Sequence, residues 1–183
     1  LNRTMWAEQE KAFSSQFRVV KIDLRGHEES DAPLWRYTLD QAADDVIGLL
    51  DHLSIRKAVF VGLSMGGYIL FALYRKYADR VKGLVLADTR AQADPTEGQE
   101  ARFQMAQTAY QKGPSAIADI MIPKLLSPAT VQTNPGLVRH VRAMIEGNQI
   151  SGIAGDLMAM AERPDSVTLL KHITCPTQSI VGE

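Results

Sequence analysis

A serine between two glycines is the feature of this chain with the clearest chemical meaning. The segment Gly62-Leu63-Ser64-Met65-Gly66 has the pattern G-x-S-x-G. When a strand precedes this pattern and a helix follows it, the serine sits on a strained turn at the end of a sheet, with its hydroxyl free to act as a nucleophile. The first backbone N–H of such a helix points to where an oxyanion forms. The pattern therefore predicts acyl transfer through Ser64, with the Met65 N–H as an oxyanion donor.

The residues on both sides of the pattern support this interpretation. The apolar run Ala58–Val61 predicts a strand before it, and the apolar run Gly67–Tyr74 predicts a buried helix after it. Because helix and strand should cross closely here, we expect a Cβ at Gly62 or Gly66 to collide with its neighbours. The alternative is an ordinary glycine-rich turn of a dinucleotide-binding fold. The glycines of this segment do not form G-x-G-x-x-G, which makes a nucleotide cofactor unexpected.

The elements that must position this serine follow from the apolar periodicity of the chain. Strands that alternate with helices indicate a parallel α/β sheet. A capping box of Thr38 and Gln41 opens one helix, whose apolar stripe we predict at Ala42, Val46, Leu49, Leu50 and Leu53. The periodicity predicts helices over 5–17, 38–53 and 64–77, and strands over 17–24, 57–63, 81–88 and 177–181.

The segment between the last two strands differs from the rest of the chain. From residue 89 to about residue 170 only helical patterns occur, and prolines interrupt them. This segment is long for a crossover between strands, so we predict that it is an inserted lid. The predicted organisation is a partial core over 1–89, a helical lid over 90–170 and a return to the core over 171–183.

Composition excludes several function classes. The 20 basic and 21 acidic residues give a net charge of −1, which favours neither nucleic acid nor an anionic membrane as a partner. No apolar run approaches the length of a membrane span.

The single cysteine, Cys175, forms no internal disulfide, in keeping with a reducing compartment, so we expect a cytoplasmic protein. No spacing of Cys, His, Asp or Glu resembles a metal site, and we expect neither metal nor cofactor. Oligomeric state stays open.

Two residues of the chain are candidates to complete a catalytic triad. His27 is at the mouth of a predicted strand, on the same sheet edge as Ser64, and is the histidine best placed to act as a base. Asp88 ends a strand and is either a triad acid or a structural carboxylate that accepts hydrogen bonds from nearby backbone N–H groups. We favour the structural role, because an orienting acid needs its histidine. The other histidines are expected at the surface or in packing: His52, His140 and His172.

Two groups of apolar residues have alternative roles. Trp35 and Tyr37 precede the capped helix and either reach the mouth of the site or fix their loop. The methionines of the predicted lid either line an acyl pocket or form ordinary core, and we favour core. They are Met105, Met121, Met144, Met158 and Met160.

The chain resembles the α/β-hydrolase superfamily, and within it the small bacterial esterases and lactonases of the oxoadipate enol-lactonase type. Besides the serine motif, Asp23–His27 followed by Ser30-Asp31 is similar to the family loop D-x-R-G-H-G-x-S-D, and Leu84–Arg90 is similar to the strand before the lid. Glu28 stands where the family usually has glycine; in a left-handed conformation it costs about 1 kcal/mol. The resemblance implies a structural role for His27 and a small ester or lactone as substrate.

The resemblance also implies parts that are not in these 183 residues. The family has further strands before Leu1, with a second oxyanion donor, and its triad acid and histidine would follow Glu183. We therefore expect an acyl-enzyme on Ser64 in a longer protein and little activity in the isolated chain. The alternative is a non-catalytic binding module of the same fold, which would use a lid pocket or its open strands to bind a partner.

Overall fold

The computed structural model describes residues 1–33 and 36–182. Leu34, Trp35 and Glu183 lie outside the described residues, and so does the predicted role of Trp35. Tyr37, for which the same two roles were considered, is buried, with 2% of its surface exposed.

Three parallel strands form one sheet in the described part of the chain, in the order β1–β2–β3. They are β1 (Ala58–Leu63), β2 (Val81–Ala87) and β3 (Thr177–Ile180). The helices are α1 (Ala7–Phe13), α2 (Leu39–His52), α3 (Met65–Tyr77), α4 (Thr96–Leu125), α5 (Pro128–Thr133), α6 (Pro135–Glu146), α7 (Ile150–Ala161) and α8 (Val167–Leu170). Short 3₁₀ turns span Arg3–Trp6 and Ala78–Arg80. The predicted class, a parallel α/β sheet with inserted helices, is confirmed.

Helix α3 connects β1 to β2 and is the centre of the packing around the sheet. Residues 67–74 of α3 are all buried, because the helix packs on β1, on β2 and on α2. A helix enclosed in this way has a continuous apolar sequence instead of a stripe. The pairing of Gly62 in β1 with Leu86 in β2 brings the carboxyl ends of both strands to one edge of the sheet.

The start of α2 is confirmed, and its buried face differs slightly from the prediction. Thr38 N–H donates to the Gln41 side chain and Gln41 N–H to the Thr38 hydroxyl, both at 3.1 Å. The buried residues of α2 are Leu39, Ala42, Ala43, Ile47 and Leu50. Val46, Leu49 and Leu53 of the predicted stripe are half-buried instead.

The predicted strand over 17–24 is wrong. Residues 18–24 pair with no strand in the described chain, and Phe17 and Val20 are 63% and 40% exposed. An apolar, β-branched run forms a strand only when another strand hydrogen-bonds to it, and the local sequence does not supply that partner. The helix predicted over 5–17 is also shorter than expected, since α1 ends at Phe13.

The helical character of the segment after β2 is confirmed. Helices α4 to α8 occupy residues 96–170, and α4 is interrupted at Gly113, whose φ is 78° and ψ 177°. Pro114 follows at once, and the residue before a proline disfavours the helical conformation.

Contacts divide the chain into two compact units. One contains residues 1–35 and 104–155, and the other residues 36–103 and 156–183. The first unit has its own buried apolar residues, among them Ile117, Val141 and Met144. The remaining methionines of the predicted lid are half-buried. The predicted boundaries at 89/90 and 170/171 stay a prediction.

Within the second unit, a buried carboxylate joins the residues before α4 to the residues after α7. Asp94, whose side chain is 1% exposed, precedes α4; Arg163 follows α7 and contacts both Asp94 oxygens at 2.8 Å. Arg102 and Arg90 also pair with this carboxylate. The hydrogen bonds from Arg163 hold the pKa of Asp94 well below its usual range, although burial acts in the opposite direction. We call Arg90, Asp94, Arg102 and Arg163 the arginine clasp.

We predict that Asp94→Asn lowers the free energy of unfolding by about 3 kcal/mol at neutral pH, because buried arginine charge loses its partner. A carboxyl pKa that is lower in the folded state stabilises the fold above its unfolded value, and this stabilisation is lost as the pH falls. The difference between wild type and variant should therefore shrink below about pH 4 in denaturant titrations. Asp119→Asn, which removes the exposed partner of Arg142, is the control and should cost under about 1 kcal/mol. Equal losses in both variants would contradict a special role for Asp94.

Candidate active site

Ser64 lies on the strained turn that the sequence predicts. It follows the last residue of β1 and precedes the first residue of α3, with φ 51° and ψ −109°. A residue with a side chain rarely adopts a positive φ, and such strain costs on the order of 1–3 kcal/mol. Ser64 is exposed, and within the described chain its hydroxyl makes no hydrogen bond. The turn therefore presents an exposed serine hydroxyl, without a hydrogen-bond partner in the described chain, at the carboxyl end of the sheet.

The backbone of Ser64 is fixed by hydrogen bonds to the neighbouring strand and helix. Its N–H donates to the Ala87 carbonyl at 2.8 Å, and its carbonyl accepts from the Gly67 N–H at 2.9 Å. The Thr89 hydroxyl donates to the same carbonyl at 2.8 Å. These three bonds come from β2, from α3 and from the segment after β2, so they hold the strained conformation and leave the side chain free. Thr89 was not recognised from the sequence, because its contact spans 25 positions.

The close approach of β1 and α3 requires glycine at two positions. A Cβ at Gly62 would lie 2.6 Å from the Gly66 carbonyl carbon and 2.7 Å from its oxygen. A Cβ at Gly67 would overlap the Thr89 side chain. The predicted collision is confirmed at Gly62 and wrong at Gly66, where a Cβ meets nothing within 4 Å. In the first turn of α3, residue 66 faces open space, and residue 67 faces the crowded side.

The Met65 N–H is available to an oxyanion as far as the described residues show. Met65 is the first residue of α3, and the N-terminal N–H groups of a helix have no intrahelical acceptor. The Ser64 side chain does not cap them. The helix dipole adds positive potential at this end. Donation to an oxyanion stays a prediction.

Asp88 is at the same edge of the sheet but does not bond as expected. Its N–H donates to the Ile180 carbonyl at 2.8 Å, which fixes the end of β2 against β3. Its φ is 44°, and it is exposed. Among the described residues its carboxylate accepts no hydrogen bond, so the expected bonds to backbone N–H groups are not found. Asp88 directly follows β2, has a left-handed backbone and is exposed to solvent.

The loop that contains His27 belongs to the other unit and is internally well bonded. Gly26 N–H donates to the Asp31 carbonyl at 2.8 Å, and the Ser30 hydroxyl donates to the Asp23 carbonyl at 2.7 Å. His27 is 7% exposed, and within the described chain no histidine hydrogen-bonds to the Ser64 hydroxyl. The other histidines are exposed, as predicted: His52, His140 and His172.

Glu28 has the left-handed conformation that its place in the loop suggested. Its φ is 43°, a value that favours glycine. Its N–H donates to the Asn148 side chain at 3.3 Å, and its carboxylate accepts a hydrogen bond from Asn2. Both asparagines are buried, so these bonds offset part of the backbone strain at Glu28.

Neither a metal cluster nor a membrane-spanning helix occurs in the part of the chain that the structure describes. No three His, Cys, Asp or Glu side chains are grouped in a way that would hold a metal ion. Each described helix is too short or too polar to cross a bilayer.

A strand, a strained serine and a buried helix define a class, the α/β hydrolases, and comparison with known proteins agrees. Residues 2–113 match the family model of the alpha/beta hydrolase fold. This chain belongs to that family.

Its relatives include lactonases and esterases. 3-Oxoadipate enol-lactonase 2 of Acinetobacter baylyi is 31% identical over 99% of this chain and 66% of that protein. A thermophilic esterase from Thermogutta terrifontis superposes with a TM-score of 0.95 at 44% identity, over 100% of this chain and 67% of that one. The enol-lactonase from Burkholderia xenovorans gives a TM-score of 0.91 at 34% identity, over 99% and 68%. The chain thus spans about two thirds of the length of its relatives.

We predict that Gly62→Ala and Gly66→Ala differ sharply although both add one methyl group. Gly62→Ala forces the methyl group against backbone atoms and should lower the free energy of unfolding by about 3 kcal/mol. Gly66→Ala enters open space and should stay within about 0.5 kcal/mol of wild type. Denaturant titration of the two variants measures both values. Equal losses, or a larger loss at residue 66, would contradict the geometry of the turn.

Proposed function

We propose that Ser64 is the nucleophile of a serine hydrolase that cleaves small carboxylic esters or lactones through an acyl-enzyme. The observation that carries the proposal is the exposed hydroxyl of a serine held at φ 51° between β1 and α3. Strain of this kind persists only where the surrounding structure enforces it, and it concentrates at functional sites. Two backbone–backbone hydrogen bonds and one from the Thr89 hydroxyl, all to the backbone of Ser64, enforce it here.

The proposed reaction proceeds in two steps. The Ser64 oxygen forms a bond to the substrate carbonyl carbon, and the carbonyl oxygen, now an oxyanion, accepts a hydrogen bond from the Met65 N–H. When this intermediate collapses, the bond to the alcohol oxygen breaks, and that oxygen receives the proton that Ser64 lost. In a lactone the alcohol stays on the acyl group, because the broken bond opens a ring. Water then attacks the acyl-enzyme, releases the acid and restores the Ser64 hydroxyl.

The base that moves the proton is assigned from the family and not from a contact with Ser64. Family membership implies a histidine in this role, oriented by an acid. We assign both to residues of the protein outside the described ranges, and His27 and Asp88 are the alternatives within them. The substrate class rests on the relatives, since several that match over nearly the full chain are named as enol-lactonases or esterases.

We predict that a fluorophosphonate labels Ser64 in the full-length protein. Peptide mass spectrometry after digestion should place the adduct on the peptide that contains the turn. Ser64→Ala should remove the label and lower kcat/KM for a p-nitrophenyl ester by about a thousandfold or more, because the acyl-enzyme has no oxygen to form on.

Ser179→Ala is the matched control, since Ser179 is also an exposed serine but lies in the extended backbone of β3. It should keep both the label and the activity. A label that persists in Ser64→Ala, or is lost in Ser179→Ala, would contradict the assignment of Ser64.

A further inference from the structure

The carbonyl of Ser64 accepts two hydrogen bonds from different parts of the fold. The Gly67 N–H in α3 donates to it at 2.9 Å, and the Thr89 hydroxyl, two residues past the end of β2, donates at 2.8 Å. A carbonyl oxygen has two lone pairs, so these two donors use its full capacity. The direction of the Ser64 carbonyl is therefore set by two contacts and not by the turn alone.

The Ser64 carbonyl belongs to the same peptide unit as the Met65 N–H. The peptide bond between the two residues is trans, and a trans peptide unit is planar, with its C=O and N–H pointing in opposite directions. A rotation of the plane turns both groups by the same angle. The contacts that hold the carbonyl therefore also hold the direction of the Met65 N–H, which is the oxyanion donor in the reaction proposed for Ser64.

Thr89 is the donor that connects this peptide unit to the sheet. The bond from the Gly67 N–H joins residues three positions apart at the start of α3, so it adds no link to a strand. The bond from Thr89 spans 25 positions. It comes from the residues that follow β2, the strand whose Ala87 carbonyl accepts the Ser64 N–H at 2.8 Å. The peptide units on both sides of Ser64 are thus held by the end of β2 and the residues after it.

The side chain of Thr89 is itself fixed against the first turn of α3. A Cβ placed on Gly67 would lie 2.4 Å from Thr89 Oγ1 and 2.5 Å from its Cγ2, so the threonine packs directly on the Cα of that glycine. Thr89 is half-buried, and a β-branched side chain has few χ1 rotamers. Gly67 therefore provides the space that lets the Thr89 hydroxyl reach the Ser64 carbonyl.

An N–H that is fixed in direction matters most when negative charge forms next to it. A donor stabilises an oxyanion well only if it points to the place where the charge develops. A hydrogen bond accepted by the carbonyl also polarises the amide, which makes the N–H of the same unit a stronger donor. Both effects act on the tetrahedral intermediate more than on the bound ester, whose carbonyl oxygen carries less charge. A residue that supplies them should raise kcat and leave KM nearly unchanged.

We propose that Thr89 is a positioning residue for the oxyanion donor. Its hydroxyl holds the Ser64 carbonyl and, through the shared peptide plane, directs the Met65 N–H towards the oxyanion. Thr89 acts only through this peptide unit and needs no contact with the substrate. The inference rests on the nucleophilic role proposed for Ser64, and it adds a residue that the serine motif does not contain.

The test compares Thr89→Val with Thr89→Ser in the full-length protein. Thr89→Val keeps the β-branched shape and removes the hydroxyl. Its kcat for a p-nitrophenyl ester should fall about tenfold, less than the hundredfold or more that follows removal of an oxyanion donor, because the Met65 N–H is still present. KM should change by less than about twofold, since the bound ester does not depend on this donor. Thr89→Ser keeps the hydroxyl and should restore most of kcat.

Two further measurements separate positioning from a loss of folded protein. Complete titration with a fluorophosphonate counts the active sites, so kcat is expressed per titrated site. The inhibition constant of a trifluoromethyl ketone, which forms a tetrahedral oxyanion adduct with a serine, should rise in Thr89→Val by the same factor as kcat falls. Thr133→Val is the matched control, because the exposed Thr133 hydroxyl also donates to a backbone carbonyl at 2.8 Å, that of Ala129. It should keep the kcat, KM and inhibition constant of the wild type.

Several results would overturn the role of Thr89. They are a wild-type kcat per titrated site in Thr89→Val, a loss that appears only in KM, or an equal loss of kcat in Thr89→Ser. If Thr89→Val does not fold, Thr89→Ala removes the same hydroxyl with less bulk and decides the question under the same expectations. Labelling of the wild type that disappears in Ser64→Ala supports the proposed nucleophile whatever the Thr89 variants do, so the two proposals fail separately.

Discussion

The carboxyl end of β1 and the first turn of α3 approach each other so closely that a methyl group does not fit between them at residue 62. This contact is possible only if the chain reverses within a single residue. Ser64 makes the reversal with a positive φ, which no regular strand or helix contains. The exposure of its hydroxyl follows from that one turn, and so does the place of Met65 as the first residue of α3.

The turn at Ser64 depends on residues that are distant in sequence. Ala87 and Thr89 hold the Ser64 backbone through hydrogen bonds across 23 and 25 positions, and β3 fixes the end of β2 through Asp88. The arginine clasp then joins the residues before α4 to the residues after α7 within the same unit. The strained backbone of Ser64 is thus held by hydrogen bonds from β2 and from the residues that follow it.

Local features of this chain were predictable from the sequence, and features that depend on distant partners were not. The turn at Ser64, the capping box at Thr38 and the break at Gly113 were predictable, because each is specified within a few residues. The strand expected over 17–24 needs a paired neighbour, which its own residues do not reveal. The contacts of Asp94 with Arg163 span 69 positions, and neither residue carries a local signal. The collision predicted at Gly66 was wrong for a different reason. The motif contains this glycine, but the direction in which a Cβ would point depends on the position of residue 66 around the helix axis.

A crystal structure of the full-length protein after reaction with a phosphonate ester would test the central claim most directly. The account predicts a covalent bond from phosphorus to Oγ of Ser64 and a hydrogen bond from the Met65 N–H to the phosphonyl oxygen, with φ of Ser64 still near its value of 51°. A phosphonyl oxygen that points away from the Met65 N–H, or an adduct on any other side chain, would contradict it.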